Sequence, residues 1–86
     1  MSSWWVYMVR CADDTLYTGI TTDLNRRLAE HNAGPAGARY TRARRPVELV
    51  YQQPCDDRSS ASKHEYQIKK LTLSGKTKLI GEGNCN

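Results

Sequence analysis

Two tyrosines near the start of the chain are candidates for chemistry on a single bound group. Tyr7 and Tyr17 flank the polar stretch "CADDT" in a chain with five tyrosines and no phenylalanine. A phenol donates and accepts hydrogen bonds, so the pair fits either core packing with an exposed hydroxyl or joint contact with one ligand. Side chains alternate along a strand, so the length of the loop determines whether the two tyrosines lie on the same face of the sheet. An odd loop places both tyrosines on one face, and a loop of two or four residues places them on opposite faces.

Glu65 is the carboxylate whose position best suits a cation. It falls between Ala61 and Ile68, near the apolar face of a predicted helix. A glutamate at such a face is usually paired with a charge or bound to a cation. Two plainer roles are a capping box that begins at Ser62 and an ion pair with Lys69, four residues later.

Other common catalytic and metal-binding patterns do not occur in the sequence. The histidines, His31 and His64, stand in different predicted helices and outside an HExxH spacing, which argues against a histidine metal site. The three cysteines form no CxxC pair, so neither a zinc site nor a disulfide scaffold is expected. No Gly-x-Ser-x-Gly segment marks an acyl-transfer nucleophile.

The distribution of arginines indicates a polyphosphate partner in a chain whose net charge is +4. No acidic residue occurs between Glu30 and Glu48. That stretch contains Arg39, Arg42, Arg44 and Arg45, and it is preceded by Arg26 and Arg27. Each phosphate contact releases condensed counterions, so such a patch favours nucleic acid over the alternative of a solvated loop.

The elements that must position these residues follow from periodicity and turn signals. Aromatic and β-branched runs at 4–10 and 16–20 predict a hairpin. "PVELVYQQP" at 46–54 predicts a third strand, in which Val47, Leu49 and Tyr51 share one face. Helices are predicted at 24–32, 56–71 and 74–81. The order β-β-α-β-α-α belongs to the α+β class, as a small single domain with a three-stranded antiparallel sheet flanked by helices.

The first predicted helix, "LNRRLAEHN", carries two of the candidate residues. One of the polar residues at 21–23 caps its start, and Leu24 and Leu28 supply a buried stripe. Arg27 and His31, also four residues apart, share a neighbouring face of this helix.

Length and hydropathy limit the class of protein. With 86 residues we expect one domain, 1–86, with a thin core at about 4–80 and a short tail at 81–86. The longest apolar run, 4–9, is far shorter than the roughly 20 residues of a membrane span, and no signal peptide is apparent. A cytoplasmic protein is therefore expected.

Several segments, taken in order, resemble the GIY-YIG nuclease family. "WVY" at 5–7 and "YTG" at 17–19 are similar to its two signature triplets, and "TTDLNRRLAEHN" to its first helix. "ARYTRARRPVELVY" resembles the third-strand region of small stand-alone bacterial members, and "SASKHEYQIKKLT" the helix with the metal-binding glutamate. The resemblance spans about residues 4–80, with Trp5 in place of the first glycine and Thr18 in place of the isoleucine.

The resemblance implies one catalytic site, built from the hairpin and the first helix. Tyr7 and Tyr17 would share a face, with Tyr7 as general base or orienter of the attacking water and Tyr17 bound to phosphate or water. Arg27 would contact the scissile phosphate, and His31 would be a secondary proton acceptor or a phosphate contact. Gly19, without a Cβ, would let a phosphodiester backbone approach closely.

The same resemblance implies a metal cofactor and a nucleic-acid partner. Glu65 and waters would hold a single divalent cation, Mg²⁺, which typically uses only one or two carboxylates. The expected partner is DNA, contacted by Gly19, Arg26, Arg39, Arg42, Arg44 and Arg45. A protein partner that supplies specificity fits so small a domain.

The expected function is a metal-dependent DNA endonuclease that acts in repair or recombination. The first alternative is a nucleic-acid-binding module whose cleavage is weak or depends on a partner. A protein-interaction domain would show neither salt-sensitive DNA binding nor a metal effect. A covalent tyrosine mechanism would leave a protein–DNA adduct.

Overall fold

The computed structural model describes residues 4–33 and 39–83, which form three strands and four helices. In chain order these are β1 (Trp4–Arg10), β2 (Leu16–Thr21), α1 (Leu24–Asn32), α2 (Arg39–Arg42), β3 (Glu48–Cys55), α3 (Arg58–Lys69) and α4 (Leu73–Gly83). The strands form one antiparallel sheet in the order β2-β1-β3. The predicted α+β class and antiparallel sheet with flanking helices are confirmed. None of the helices in these residues has the length and apolar character needed to cross a bilayer.

The turn between β1 and β2 is stabilised by its own side chains. The carboxylate of Asp13 accepts hydrogen bonds from the Thr15 hydroxyl at 2.6 Å and the Thr15 backbone N–H at 3.2 Å. Asp14 adopts φ 67°, a left-handed conformation that aspartate tolerates better than most residues. The sequence of the turn therefore suits its geometry.

The register of the hairpin answers the question left open by the sequence. Arg10 pairs with Leu16, so the loop contains the five residues 11–15, an odd number. Tyr7 then stands opposite Gly19, two residues from Tyr17 along β2. Both tyrosines lie on one face of the sheet, as the family resemblance implied.

Aspartates begin α1 and α3, the helices that pack on opposite faces of the sheet. Asp23 caps α1 and Asp57 caps α3, each accepting a hydrogen bond from a backbone N–H three residues later. The predicted capping box from Ser62 to Glu65 is wrong, because both residues lie inside α3. Asp57 precedes the first turn and satisfies N–H groups that a residue at position 62 is too far along to reach.

Apolar side chains cover both faces of the sheet. Val6 and Met8 of β1 pack with Ile68 of α3 and with α4 residues on one face. The other face carries Tyr7, Val9, Cys11, Val47, Tyr17, Leu24, Leu28 and Leu49. Helix α1 therefore packs on the tyrosine face, and α3 packs on the opposite face.

A β-bulge in β3 changes the predicted pattern of that strand. Met8 pairs with Tyr51 while Val9 pairs with Leu49, so Val50 is the extra residue. Leu49 and Tyr51 consequently belong to different core clusters, and the prediction that they share a face is wrong. The bulge allows both Val50 and Tyr51 to pack on the α3 face.

Some element boundaries also differ from those predicted. β3 begins at Glu48 rather than at 46, α4 extends from Leu73 to Gly83 rather than over 74–81, and the short helix α2 was not predicted. Within the described residues Cys11 and Cys55 are free thiols. The last three residues of the predicted tail, 84–86, which include Cys85, lie outside the described residues.

Candidate active site

A buried histidine connects three elements on the tyrosine face. His31 of α1 is 0% exposed. Its Nε2 shares a hydrogen bond of 2.7 Å with the Tyr7 hydroxyl, and its Nδ1 shares one of 2.8 Å with Oγ1 of Thr41. A neutral imidazole has one N–H, so the ring donates to one neighbour and accepts from the other. Tyr7, His31 and Thr41 thus form a continuous hydrogen-bonded chain from β1 to α2.

The environment of His31 keeps its ring neutral. The pKa of His31 is lowered to about 4, mainly by burial and also by the positive charges of Arg27 and Arg45, while Glu30 acts in the opposite direction. The ring is therefore uncharged at pH 7 and able to accept a proton. Of the two roles expected for it, direct contact with a phosphate is incompatible with its complete burial.

Tyr7 is also buried, with 3% of its surface exposed. Burial raises the pKa of Tyr7 to about 12; a hydrogen bond from Arg27 lowers it, and the neighbouring Tyr17 raises it. The phenol consequently keeps its proton at neutral pH. A role as base requires a group that takes this proton, and the adjacent Nε2 of His31 is in position to do so.

Gly19 has a different neighbour from the one expected. A Cβ added at Gly19 would stand 2.6 Å from the hydroxyl oxygen of Tyr7 and 2.8 Å from its Cζ. The Tyr7 ring therefore occupies the space over this glycine. A side chain at position 19 is excluded by contact with Tyr7, and not by the close approach of a phosphodiester that we expected.

Aromatic rings extend the site from His31 towards the surface. The Tyr17 ring meets the His31 ring edge-on, with centroids 5.3 Å apart and an angle of 65°. Tyr17 also stacks on Tyr40 of α2 at 5.9 Å. The Arg44 guanidinium lies 4.0 Å from the centroid of the Tyr40 ring. Tyr40 was not predicted, because nothing in its local sequence separates it from other exposed aromatics.

Two neighbouring arginines of α1 share one carboxylate. Nη1 of Arg27 lies 2.8 Å from Oε1 of Glu30, and Nε of Arg26 lies 3.2 Å from Oε2 of the same residue. The Arg27 side chain is 27% exposed and that of Arg26 is 77% exposed. Burial alone would lower the pKa of Arg27, but hydrogen bonds with Glu30 and Tyr7 outweigh this effect and raise it. Arg27 therefore belongs to the site, whereas Arg26 is a surface residue beside it.

Glu65 is partly exposed and already has a cationic neighbour. Its Oε2 lies 3.2 Å from Nζ of Lys69, which is the ion pair that the spacing predicted. Although α3 packs on the opposite face, the charge of Glu65 is among those that raise the pKa of Tyr7. The carboxylate is thus within electrostatic reach of the phenol.

The single carboxylate of Glu65 suits a metal site that is completed by water and substrate better than one formed by protein ligands alone. In the part of the chain that the structure describes, no cluster of three or more His, Cys, Asp or Glu side chains is arranged to hold a metal ion. A magnesium ion typically keeps several waters and takes only one or two carboxylates together with substrate phosphates. A single accessible carboxylate such as Glu65 matches that coordination.

The predicted arginine patch is divided between structural and exposed residues. Arg44 donates to the Asp13 carboxylate at 3.0 Å and to the Tyr40 carbonyl at 2.9 Å. Arg45 donates to the carbonyls of His31 at 2.7 Å and Glu30 at 3.4 Å, at the end of α1. The two arginines therefore hold this segment in place. Arg42 is exposed, and the side chain of Arg39 lies outside the described residues.

Known proteins share both the sequence pattern and the fold. The pattern of the GIY-YIG catalytic domain family matches residues 3–79. A UPF0213 protein of Desulfotalea psychrophila is 60% identical over 78 residues, 91% of this chain and 71% of that protein. Another, from Staphylococcus saprophyticus, is 48% identical over 83 residues, 96% of this chain and 100% of that protein.

Two solution NMR structures are similar over most of their length. A UPF0213 protein of Bacillus halodurans has a TM-score of 0.61 and 38% identity, covering 94% of this chain and 86% of that one. An E. faecalis protein has a TM-score of 0.66 and 36% identity, covering 100% of this chain and 91% of that one. The matched span agrees with the resemblance traced along the sequence.

Proposed function

Because the chain belongs to the GIY-YIG catalytic domain family, we propose that it is a metal-dependent endonuclease that hydrolyses phosphodiester bonds of DNA. The observation that supports this most is the buried 2.7 Å hydrogen bond between the Tyr7 hydroxyl and a neutral His31. A buried phenol needs a hydrogen-bond partner in any role, but here the partner is a neutral imidazole and Arg27 also lies beside the hydroxyl, a set of groups that suits proton transfer next to a phosphate. A role in repair or recombination stays a prediction from the sequence.

Hydrolysis requires that the attacking water lose a proton while charge on the phosphoryl group is stabilised. In this proposal the Tyr7 hydroxyl oxygen takes the proton from water and passes its own proton to Nε2 of His31. The pKa of the phenol is about 12 and that of His31 about 4, so this transfer is uphill by itself and is proposed to occur together with attack of the water on the phosphorus. Thr41 accepts from Nδ1 of the resulting imidazolium and fixes the ring.

Arg27 and Tyr17 are assigned to the phosphate. The guanidinium presents five N–H donors in a fixed fork, which allows it to bind Glu30 and a phosphoryl oxygen at once. Glu30 thereby orients Arg27 towards the Tyr7 hydroxyl. Tyr17, half-buried against the His31 ring, offers its hydroxyl to the phosphate or to the attacking water.

Glu65 would hold the divalent cation, Mg²⁺ in this proposal. When bound, such a cation stabilises the negative charge that develops on the leaving oxygen. Lys69, which pairs with Glu65, occupies a position in which it competes with the cation for the carboxylate.

The test is a cleavage assay with branched, flapped and duplex DNA, in Mg²⁺ and in EDTA. Tyr7→Phe should lower the rate by roughly 10²–10⁴-fold, the usual contribution of a general base. The chain offers a matched control, because Tyr51 on the opposite face also binds a histidine, His64, at 3.2 Å. Tyr51→Phe should cleave like the wild type. Equal rates in Tyr7→Phe and wild type, or cleavage unaffected by EDTA, would contradict the proposal.

One observation favours the alternative of a binding module that cleaves only with a partner. Arg44 and Arg45, two of the predicted phosphate contacts, bind the protein itself. A protein partner would then supply contacts that position the DNA. Salt-sensitive binding without Mg²⁺-dependent cleavage by the isolated protein would support this alternative.

A further inference from the structure

An open cleft of about 380 Å³ lies where the start of α1 meets the sheet. Its lining includes Trp5 of β1, Asp23 and Asn25 at the start of α1, and Leu49 and Gln52 of β3. The volume falls within the roughly 300–1,000 Å³ of small-molecule sites, so the cleft is large enough for a planar group such as a nucleobase.

The cleft adjoins the candidate active site on the same face of the sheet. Trp5 precedes Tyr7 by two residues on β1, so the two side chains lie on one face, about 7 Å apart along the strand. Leu24 and Leu49 line the cleft and also pack in the cluster that contains Tyr7. A rise of about 3.4 Å per nucleotide means that one or two nucleotides span the distance between Trp5 and Tyr7.

The lining favours a neutral, planar ligand over a phosphate. Trp5 offers an indole for stacking, and the amides of Asn25 and Gln52 each present a donor and an acceptor, as base edges require. Asp23 repels anions, and its carboxylate already accepts from a backbone N–H at the start of α1. That helix end is thus closed to a phosphate by the protein's own carboxylate.

We propose that this cleft binds an unpaired nucleobase of the DNA strand whose phosphate lies at Tyr7. The base stacks on Trp5 and is contacted at its edge by Asn25 and Gln52. This inference rests on the proposed function, since it assumes a strand at Tyr7. It adds a substrate preference, namely DNA in which a base next to the scissile phosphate is unpaired.

The fluorescence of Trp5 can report binding in the cleft, because the chain has two tryptophans and the other one, Trp4, can be replaced. Trp4 is the preceding residue on β1 and therefore points to the opposite face, where the Arg58 guanidinium lies 5.8 Å from its ring centroid. In a Trp4→Phe protein all tryptophan emission comes from Trp5. Binding is measured in EDTA with a duplex that has one unpaired adenine, the same duplex with an abasic bulge, a fully paired duplex, and free dAMP.

We expect the adenine bulge to quench Trp5 emission and to bind roughly 5- to 150-fold more tightly than the abasic bulge, the equivalent of one stacked base. In the Trp5 variants, which lack the reporter, affinity is measured by the fluorescence anisotropy of a labelled duplex. Trp5→Leu should remove this difference, while Trp5→Phe, which keeps a ring and guards against misfolding, should retain part of it. Equal affinity for the adenine and abasic bulges would overturn the proposal. So would free dAMP bound as tightly as the bulged duplex, because the base would then need no strand.

Parallel cleavage reactions in Mg²⁺ separate the two proposals. Equal cutting and equal binding of adenine and abasic bulges would overturn the base site and leave the nuclease standing. A base-dependent affinity without any cutting would support the base site and contradict the nuclease.

Discussion

Gly19 and Tyr7 are register partners on β2 and β1, and the missing side chain of Gly19 is what allows Tyr7 to reach His31. The phenol ring crosses the position where any Cβ at residue 19 would stand. Because Tyr7 is buried and hydrogen-bonded at its far end, a shift of the ring away from a Cβ would weaken its bond with His31. The glycine of the "YTG" triplet therefore serves the tyrosine of the "WVY" triplet.

Gly19→Ala should displace the Tyr7 ring and break its bond with His31. A buried imidazole nitrogen left without a partner costs roughly 1–3 kcal/mol, so both the melting temperature and cleavage should fall. Gly81→Ala is the matched control, because nothing lies within 4 Å of a Cβ at that position of α4. That change should stabilise the protein by about 0.5–1 kcal/mol. Thermal unfolding of both variants tests the pair, and an unchanged Gly19→Ala protein would contradict the geometry.

Arg27→Ala and Arg26→Ala should differ, although both arginines bind Glu30. Arg27 faces the Tyr7 hydroxyl, so its loss should lower the cleavage rate by roughly 10²–10³-fold, as for removal of one transition-state donor. Arg26 is largely exposed, and its loss should leave turnover of the bound complex nearly unchanged. Single-turnover cleavage at saturating protein measures this, and similar rates in the two variants would remove Arg27 from the site.

Glu65→Gln and Lys69→Met should have opposite effects on the metal requirement. The glutamine side chain keeps the shape of Glu65 but loses the charge that a hard cation needs, so Mg²⁺ binding and cleavage should be lost. Lys69→Met removes the ammonium that competes at 3.2 Å, so a lower Mg²⁺ concentration should suffice. Calorimetric Mg²⁺ titration of the DNA-bound protein checks both variants. Normal cleavage by Glu65→Gln would disprove the metal assignment.

The free energy of unfolding should fall between pH 7 and pH 5 because of His31. Its pKa is about 4 in the folded protein and about 6.5 when unfolded, so in this range the unfolded chain binds the proton and the folded chain does not. This stabilises the unfolded state by about 2 kcal/mol at pH 5 relative to pH 7. Urea unfolding at several pH values measures it. In His31→Gln this part of the decline should vanish, and an equal decline would exclude His31 as its source.

Arg42→Ala and Arg45→Ala should separate binding from stability within the arginine segment. Arg42 is exposed, so its loss should reduce the slope of log affinity against log salt by about 1. Arg45 binds two carbonyls at the end of α1, and its loss should cost about 2 kcal/mol of folding stability. Salt titrations of DNA binding and urea unfolding distinguish these results. A stability loss confined to Arg42→Ala would reverse the assignment.

Local signals were sufficient for the elements but not for every contact between them. The hairpin, the α1 start and the Lys69 ion pair with Glu65 depend on neighbours in sequence, and the residues themselves indicate them, whereas the length of the hairpin loop stayed open until the register was known. The bulge at Val50 depends on how β3 aligns with β1, which no periodicity along one strand reveals. The roles of Arg44 and Arg45 depend on residues 14 to 31 positions away.

The sequence indicated which residues form the candidate site better than it indicated their protonation states. The resemblance to the family indicated Tyr7, Arg27 and His31, and the structure brings these three residues together. Their protonation states follow from burial, which one sequence does not quantify. Thr41 and Glu30, which fix His31 and Arg27, carry no motif of their own.

The hydrogen bond between Thr41 and His31 couples the position of α2 to the protonation state of the imidazole. Thr41 is fully buried against the ring, so α2 contributes to the burial that keeps His31 neutral. Coupling free energies are reciprocal: a ligand that holds α2 in place disfavours protonation of His31, and protonation weakens that ligand by the same factor. A DNA strand that contacts α2 would therefore keep His31 unprotonated, and so able to accept a proton, before any bond is broken.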